Sequence, residues 1–210
     1  EKDNLHVLKH LSVGGTAVFV RRGMIVLGHG SECHKVCSVK SLPVTLEGRA
    51  KHNVQNALAA IAAGWALGLS VEAIRESLQD FKPDARHNRG RLNQYIVGGV
   101  RVFLDYGHNA AGVREVIQTL KKLKGRSLVG CLTVPGDRTD ESIREVARIA
   151  AKGFDRLIIH EDSDLRNRQP GEVADIIYRE VLKCGMKPHQ VEVILPELEA
   201  FIAGLDSCEP

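Results

Sequence analysis

Arg101-Val102-Phe103-Leu104-Asp105-Tyr106-Gly107-His108-Asn109 is the stretch on which the reading of the fold turns. An apolar run ends in an acid, and a histidine and an amide follow within four residues. A buried strand that stops this way delivers a carboxylate and an imidazole to its C-terminal edge, the edge at which open α/β sheets bind ligands. Beyond it the pattern alternates. Residues 101–105, 127–131, 156–159 and 191–194 read as strands; 111–124, 140–152, 170–183 and 197–203 read as helices. The helix at 111–124 carries Glu115 in its early turns and Lys121, Lys122 and Lys124 at its end, with Gly125 after it, which suits the macrodipole and a C-cap. Strands alternating with helices predict a Rossmann-like, parallel α/β sheet with right-handed crossovers and flanking helices.

Upstream the period differs. Residues 16–20 and 24–27 are short β-rich runs, and Arg21-Arg22-Gly23 between them reads as a hairpin turn. Residues 36–46 read as a second extended region broken by Pro43. From Lys51 helical spacing takes over: Val54, Leu58, Ile61 and Trp65 recur with alanines between them, and Gly68 fits a C-cap. Ser70 fits the N-cap of a further helix to about Asp80, with Val71, Ile74 and Leu78 on its apolar face. Residues 81–91 are polar and rich in turn formers, which predicts a domain boundary there, dividing the chain into 1–87 and 88–210.

The composition is that of a globular domain or two: 210 residues, 43% hydrophobic, 26% charged, net charge +3. No Lys/Arg block interleaved with aromatics suggests a nucleic-acid partner, and no apolar run is long enough for a bilayer. The five cysteines are odd in number and dispersed, which suggests reduced thiols in a cytoplasmic compartment. Cys33-His34 with Cys37 resembles half a metal site without its second pair, so a solvent-facing turn between strands is expected rather than a metal centre. There is no G-x-x-x-x-G-K-[ST] phosphate loop, no G-x-G-x-x-G opening a helix, no nucleophile elbow and no H-E-x-x-H pair. Glu1-Lys2-Asp3-Asn4 abuts patterned sequence and Ser207-Cys208-Glu209-Pro210 stops abruptly, so a piece of a longer protein is expected.

Several clusters carry candidate chemistry. Asp105 suits ribose hydroxyls and His108 suits phosphate or ribose; equally, Asp105 suits an N-cap and His108 a plain loop. His52, Asn53 and Asn56 open an apolar helix, with the two amides on one face. An amide matches an adenine edge, while Asn53 equally suits a helix cap. Arg91 offers a bidentate fork for phosphate, or is a solvated linker residue. Asp137 and Arg138 lie between a strand and a helix, where they orient a ligand or form an ordinary ion pair. Glu161-Asp162-Ser163-Asp164 is an acidic cluster for a cation, or a solvated turn neutralised by Arg166 and Arg168.

Taken in order, these clusters resemble the C-terminal part of Mur ligases, most closely the Mur-like modules of cyanophycin synthetases. The likeness rests on Gly48-Arg49-Ala50-Lys51-His52-Asn53-Val54-Gln55-Asn56-Ala57-Leu58-Ala59-Ala60, Asn88-Arg89-Gly90-Arg91-Leu92-Asn93, Asp105-Tyr106-Gly107-His108-Asn109 and Pro135-Gly136-Asp137-Arg138. The run Ile159-His160-Glu161-Asp162-Ser163-Asp164-Leu165-Arg166, followed by Pro170-Gly171-Glu172-Val173, points to the cyanophycin branch. The resemblance implies that residues 1–87 are the α/β tail of an ATP-binding central domain and 88–210 the C-terminal Rossmann-like domain. It implies ATP and Mg2+ as cofactors, with Asn53 and Asn56 on the adenine side, Arg91 on phosphate, Asp105 on ribose and His108 beside it. It places the substrate side at Asp137, Arg138, Glu161 and Asp164. The implied reaction makes an amide through an acyl phosphate, with arginine the expected amine and an aspartate-containing polymer the acceptor. The phosphate loop, the magnesium ligands and the carbamylated lysine of the family would lie upstream, so no catalytic or metal-binding residue is expected in this chain and it is expected to be inactive alone. Ala110 stands where the family often has proline after His-Asn; that loosens a turn and removes no functional group.

A different reading is a non-catalytic Rossmann-like binding or assembly domain, or part of a peptidoglycan-type Mur ligase, since fold alone decides no function. A phosphate-loop motif upstream in the same reading frame separates a ligase from a binding module. The helix from Asn53 also predicts an exposed apolar face through which copies self-associate as a homo-oligomer.

Overall fold

The computed structural model describes residues 4–123 and 125–209. The expectations that touch Glu1, Lys2, Asp3, Lys124 and Pro210 therefore lie outside the described residues. The chain divides into two compact units between Arg89 and Gly90.

The first unit opens with helix α1 (Leu5–Ser12), which the sequence reading did not anticipate; Asn4 caps it by accepting from the His6 and Val7 amides. An antiparallel sheet follows in the order β1 (Thr16–Arg21), β2 (Met24–His29), β3 (Glu32–Ser38). Arg22 and Gly23 both have positive φ, 51° and 76°, the two-residue hairpin turn whose twist matches its strands. The central strand β2 separates two apolar layers by simple alternation. Ile25 and Leu27 pack with Ile61 and Ile74, while Val26 packs with Leu11 and Phe19 on the other face.

The extended region expected at 36–46 ends at Ser38. Two 3-10 turns replace it, Val39–Ser41 and Pro43–Thr45. Proline lacks the ladder N–H, and buried Thr45 donates its hydroxyl to the Val39 or Leu42 carbonyl, at 2.7 and 2.8 Å, which folds the segment back on itself. Cys33, His34 and Cys37 lie on β3, not in a turn. Helices α2 (Lys51–Ala66) and α3 (Val71–Asp80) cover the sheet, and Ser70 caps α3 as expected by accepting from the Ala73 amide. Helix α2 ends with Gly68 at φ 83°, its amide bonded to the Trp65 carbonyl and the Leu69 amide to that of Gly64. A short helix α4 (Ala85–Asn88) closes the unit.

The second unit begins with an antiparallel hairpin, β4 (Asn93–Val97) and β5 (Val100–Leu104), turned by Gly98 and Gly99 at φ 56° and 84°. This corrects the expectation for 101–105. The segment is a half-exposed hairpin strand, not a buried member of the parallel sheet, and Leu104 is 50% exposed. Two β-rich runs around a Gly-Gly pair are a hairpin signal, and the reading passed over it.

The parallel sheet has the order β6 (Val129–Leu132), β7 (Arg156–Ile159), β8 (Val191–Val193). Around it lie α5 (Ala110–Leu120), α6 (Asp140–Gly153), α7 (Glu172–Lys183) and α8 (Glu197–Asp206). Helix α5 stops at Leu120, short of the expected end at 124, with Lys121 as its C-cap. The period of two divides the strands between two layers. Leu132, Leu157 and Ile159 join Val113, Ile117, Ile143, Val146, Ile177 and Val181 of α5, α6 and α7, whereas Cys131 and Ile158 meet Gly204 of α8. Ile143, Leu157, Ile159 and Ile177 are fully buried, and each contributes roughly 1.5–3 kcal/mol by leaving water. The predicted α/β class with a parallel sheet and flanking helices is what the structure shows. No helix is long and apolar enough to cross a membrane among the described residues.

Candidate functional site

Most site residues of the second unit lie on loops that leave the C-terminal ends of β5, β6 and β7, and Arg91 lies on the loop that leads into β4. Asp105 follows β5, and its Oδ2 accepts from the Leu92 amide at 2.8 Å. The Tyr106 amide donates to the Gly90 carbonyl at 2.8 Å, and the Gly90 amide donates to Oδ1 of buried Asn93 at 2.7 Å. The first two bonds close the Gly90–Asn93 loop against the β5–α5 loop and the third ties the loop to itself, with Gly90 and Leu92 at φ 71° and 53°. That closure fixes Arg91, whose guanidinium carbon lies 5.6 Å from the centre of the Tyr106 ring. No acidic side chain pairs with Arg91 among the described residues. A fixed cation on an aromatic face without a carboxylate partner is suited to an outside anion such as phosphate.

Tyr106 is 54% exposed, and its ring centre stands 5.1 Å from that of His108. His108 Nδ1 lies 3.3 Å from the Tyr106 carbonyl, and Nε2 lies 3.3 Å from the Asn109 side-chain nitrogen. Because a carbonyl only accepts and an amide nitrogen only donates, this network assigns the proton to Nδ1 and leaves Nε2 as acceptor. Asn109, not Asp105, caps α5, accepting from the Gly112 amide at 2.8 Å. The structure thus brings Arg91, Asp105 and His108 together, with Tyr106 between them, a residue for which the sequence suggested no role.

In the first unit Asn53 does not cap α2; the N-cap is Ala50, without a side-chain bond. Asn53 instead donates to the Val44 carbonyl at 2.8 Å, and its oxygen receives the Asn56 amide at 3.4 Å. The two amides share a face as the spacing predicted. Asn56 is exposed, and so are Ala59, Ala60, Ala62 and Ala63 farther along the helix.

A second group of candidates surrounds the turn after β6. Arg166 holds Asp137 at 2.9 Å and Asp164 at 3.7 Å, while Arg138 lies 3.8 Å from Asp137. The Arg166 bond holds the Asp137 carboxyl below the usual carboxylate range, with the neighbouring charges of Arg166 and Arg138 adding to it. Arg138 and His108 line an open pocket of about 380 Å³ together with Asn109, Arg114, Ser142 and Glu145. This pocket joins one candidate from each group.

Glu161 has a different place. Only 7% exposed, it accepts from the Gly171 amide at 2.7 Å and the Ala174 amide at 3.1 Å. Both carboxylate oxygens therefore cap α7, whose Gly171 N-cap has no side chain of its own to do so. Asp164 accepts from the Arg166 amide at 3.1 Å within the same loop. Sequence reasoning treated Arg168 only as a neutralising charge, yet it is the most heavily bonded side chain here. It binds the Gly136 and Arg138 carbonyls and the Asp140 and Glu172 carboxylates. No group of three His, Cys, Asp or Glu able to hold a metal occurs among the described residues.

Residues 90–210 match the family model described as Mur ligase, glutamate ligase domain. The chain is 36% identical over 207 residues to the cyanophycin synthetase of Crocosphaera subtropica, covering 99% of this chain and 24% of that protein. Identity and coverage are the same for the cyanophycin synthetase of Synechocystis sp.. A UDP-N-acetylmuramoyl-L-alanyl-D-glutamate–2,6-diaminopimelate ligase of Geobacter metallireducens is 26% identical over 88% of this chain and 35% of its own length. The chain thus spans about a quarter of the cyanophycin synthetases it matches. Among solved structures, Mycobacterium tuberculosis folylpolyglutamate synthase complexed with ADP and AMPPCP shares the fold, with a TM-score of 0.66 and 22% identity over 90% of this chain and 39% of that one.

Proposed function

This chain belongs to the Mur ligase family, and from that premise we propose that it is the C-terminal part of an ATP-dependent amide ligase of the cyanophycin synthetase type. The observation that carries the proposal is the loop pair that holds Arg91 on the Tyr106 ring with Asp105 and His108 beside it. A guanidinium without a carboxylate partner among the described residues, a carboxylate and an aromatic shelf fit a nucleotide's phosphate, ribose and base-side surfaces. The 36% identity to cyanophycin synthetases along almost the whole chain supports the same branch.

In this reading residues 1–87 complete an ATP-binding central domain and 88–210 form the C-terminal Rossmann-like domain. Asn53 and Asn56 face adenine, Arg91 meets phosphate, and Asp105 holds the ribose with His108 alongside. The phosphate loop and the Mg2+ ligands belong to sequence upstream. ATP transfers its γ-phosphoryl group to a substrate carboxylate; an amine attacks the acyl carbon, phosphate leaves, and ADP and an amide remain. The amine is arginine and the carboxylate an aspartate side chain of a polymer, with Asp137, Arg138 and Asp164 on the amine side. The 210-residue chain alone is inactive, and the parent protein works in the cytoplasm, where ATP is available.

The test is ADP release by the full-length parent protein with ATP, Mg2+, an aspartate-polymer primer and either arginine or lysine. Amine-dependent release is expected, strongest with arginine. Asp105→Ala is expected to raise the Michaelis constant for ATP. Folded protein that releases no ADP with any amine, or an Asp105→Ala variant with an unaltered ATP constant, refutes the assignment.

A further inference from the structure

Resting on the ligase reading above, we propose that Arg168 is the positioning residue that sets the amine-side turn, by fastening the backbone on both sides of Asp137.

Arg168 reaches three separate segments. Its Nε donates to the Gly136 carbonyl at 3.0 Å and one terminal nitrogen donates to the Arg138 carbonyl at 2.8 Å. These carbonyls belong to the Gly136–Asp137 and Arg138–Thr139 peptide units, so the guanidinium brackets Asp137 and Arg138 between them. The other terminal nitrogen binds Asp140 at 2.8 Å and Glu172 at 2.6 Å, the first residues of α6 and α7. The side chain is only 19% exposed. A planar fork with donors pointing in several fixed directions is required for this set of acceptors; an ammonium on a longer stem does not span it.

Two further contacts make the turn a single built object. Gly136 lies against the Leu165 backbone so closely that a Cβ there would come 2.3 Å from the Leu165 oxygen. Arg166, two residues before Arg168, takes the Asp137 side chain at 2.9 Å. The loop after β7 thus grips the loop after β6 by its backbone through Arg168 and by its carboxylate through Arg166. What this grip aims is the Arg138 side chain, which lines the 380 Å³ pocket that also holds His108. Arg168 lies outside that pocket lining, so it acts through the turn and not by touching a ligand.

The consequence is a selective one. Loss of the fork displaces Arg138 and Asp137 and leaves the Arg91–Asp105–His108 group in place, because that group is held by its own loop bonds. In the full-length enzyme Arg168→Lys is expected to raise the Michaelis constant for L-arginine at least tenfold, with the constant for ATP changed less than twofold. Glu172→Gln removes one ion pair and spares both carbonyl bonds; it is expected to lower the melting temperature slightly and leave the arginine constant within twofold. Hydrogen exchange gives a readout that does not need turnover: the amides of residues 136–140, among them that of Arg138 on the Pro135 carbonyl, are expected to lose protection in Arg168→Lys while those of β6 and β7 keep it. A wild-type enzyme that does not turn over refutes the ligase reading, and the exchange result alone then decides whether Arg168 fixes the turn. Unchanged exchange at 136–140 overturns the proposal. So does a rise in the ATP and arginine constants together, or a Glu172→Gln variant as impaired as Arg168→Lys, since either marks general destabilisation.

Discussion

Glu161 lies inside the acidic run that the sequence offered to a cationic substrate, and replacing it with alanine separates a structural cap from a ligand contact. Its two oxygens accept from the Gly171 and Ala174 amides, and the side chain is nearly buried at the start of α7. Glu161→Ala leaves two amides without acceptors at a helix N-terminus. A lost N-cap bond costs about 1 kcal/mol, a buried unsatisfied donor costs about 1–3 kcal/mol, and removing a negative charge from the positive end of the helix costs about 0.3–1 kcal/mol. These overlap, so the expected loss is roughly 2–4 kcal/mol. For a domain of this size that lowers the melting temperature by roughly 8–16 °C, at about 4 °C per kcal/mol. Glu161→Gln keeps one acceptor and turns an NH2 group toward the other amide, for an expected loss of about 1–2 kcal/mol. Calorimetry and urea denaturation of the 210-residue chain measure both. A Glu161→Ala chain within 0.5 kcal/mol of wild type refutes the capping argument, as does a full-length variant of normal stability whose arginine constant alone has risen.

Gly136→Ala drives a Cβ into the Leu165 carbonyl at 2.3 Å, so the backbone must shift; a loss of about 1–3 kcal/mol is expected, read by urea denaturation. Asp137 is held low by Arg166, so this contact stabilises the fold at neutral pH and is lost as the pH falls below the ordinary aspartate value of 3.8. Arg166→Ala is expected to move the Asp137 midpoint upward toward that value in a carboxyl NMR titration, and an unmoved midpoint contradicts the ion pair. Burial raises the Cys37 thiol above its usual range, whereas Cys33 on the same strand is exposed. A thiol reagent at neutral pH is therefore expected to label Cys33 well before Cys37, as mass spectrometry of the quenched protein will show.

Much of the site was legible because short-range rules govern it. Ser70 before an amphipathic run had to cap α3, and Asn53 and Asn56 had to share a face at helical spacing. In the strand Arg156–Ile159 the run Leu157-Ile158-Ile159 is continuous and apolar because both its faces are covered. Where the reading failed, a contact distant in sequence had overridden a local one. Asp105 suits ribose hydroxyls and the cap of the next helix equally by sequence, but the Leu92 amide, brought back by the hairpin, bonds to its carboxylate, and Asn109 does the capping. Glu161 sits in an acidic run that suits a cationic ligand or a solvated turn, but the bare Gly171 N-cap of α7 draws it inward. Arg168 looked like one charge in a mixed run; its partners lie about 30 residues earlier in the chain as well as four residues later.

The sequence by itself determined the alternation of strands and helices, the parallel class of the second unit and the order of its candidate clusters. These follow from periodicity and from the residue types that begin and end each element, which act within a turn or two of chain. Only the tertiary structure decided which polar groups remain available to a ligand and which are already spent on the fold. That division depends on which backbone amides and carbonyls the packing of separate loops brings within 3 Å, and no local pattern encodes that distance.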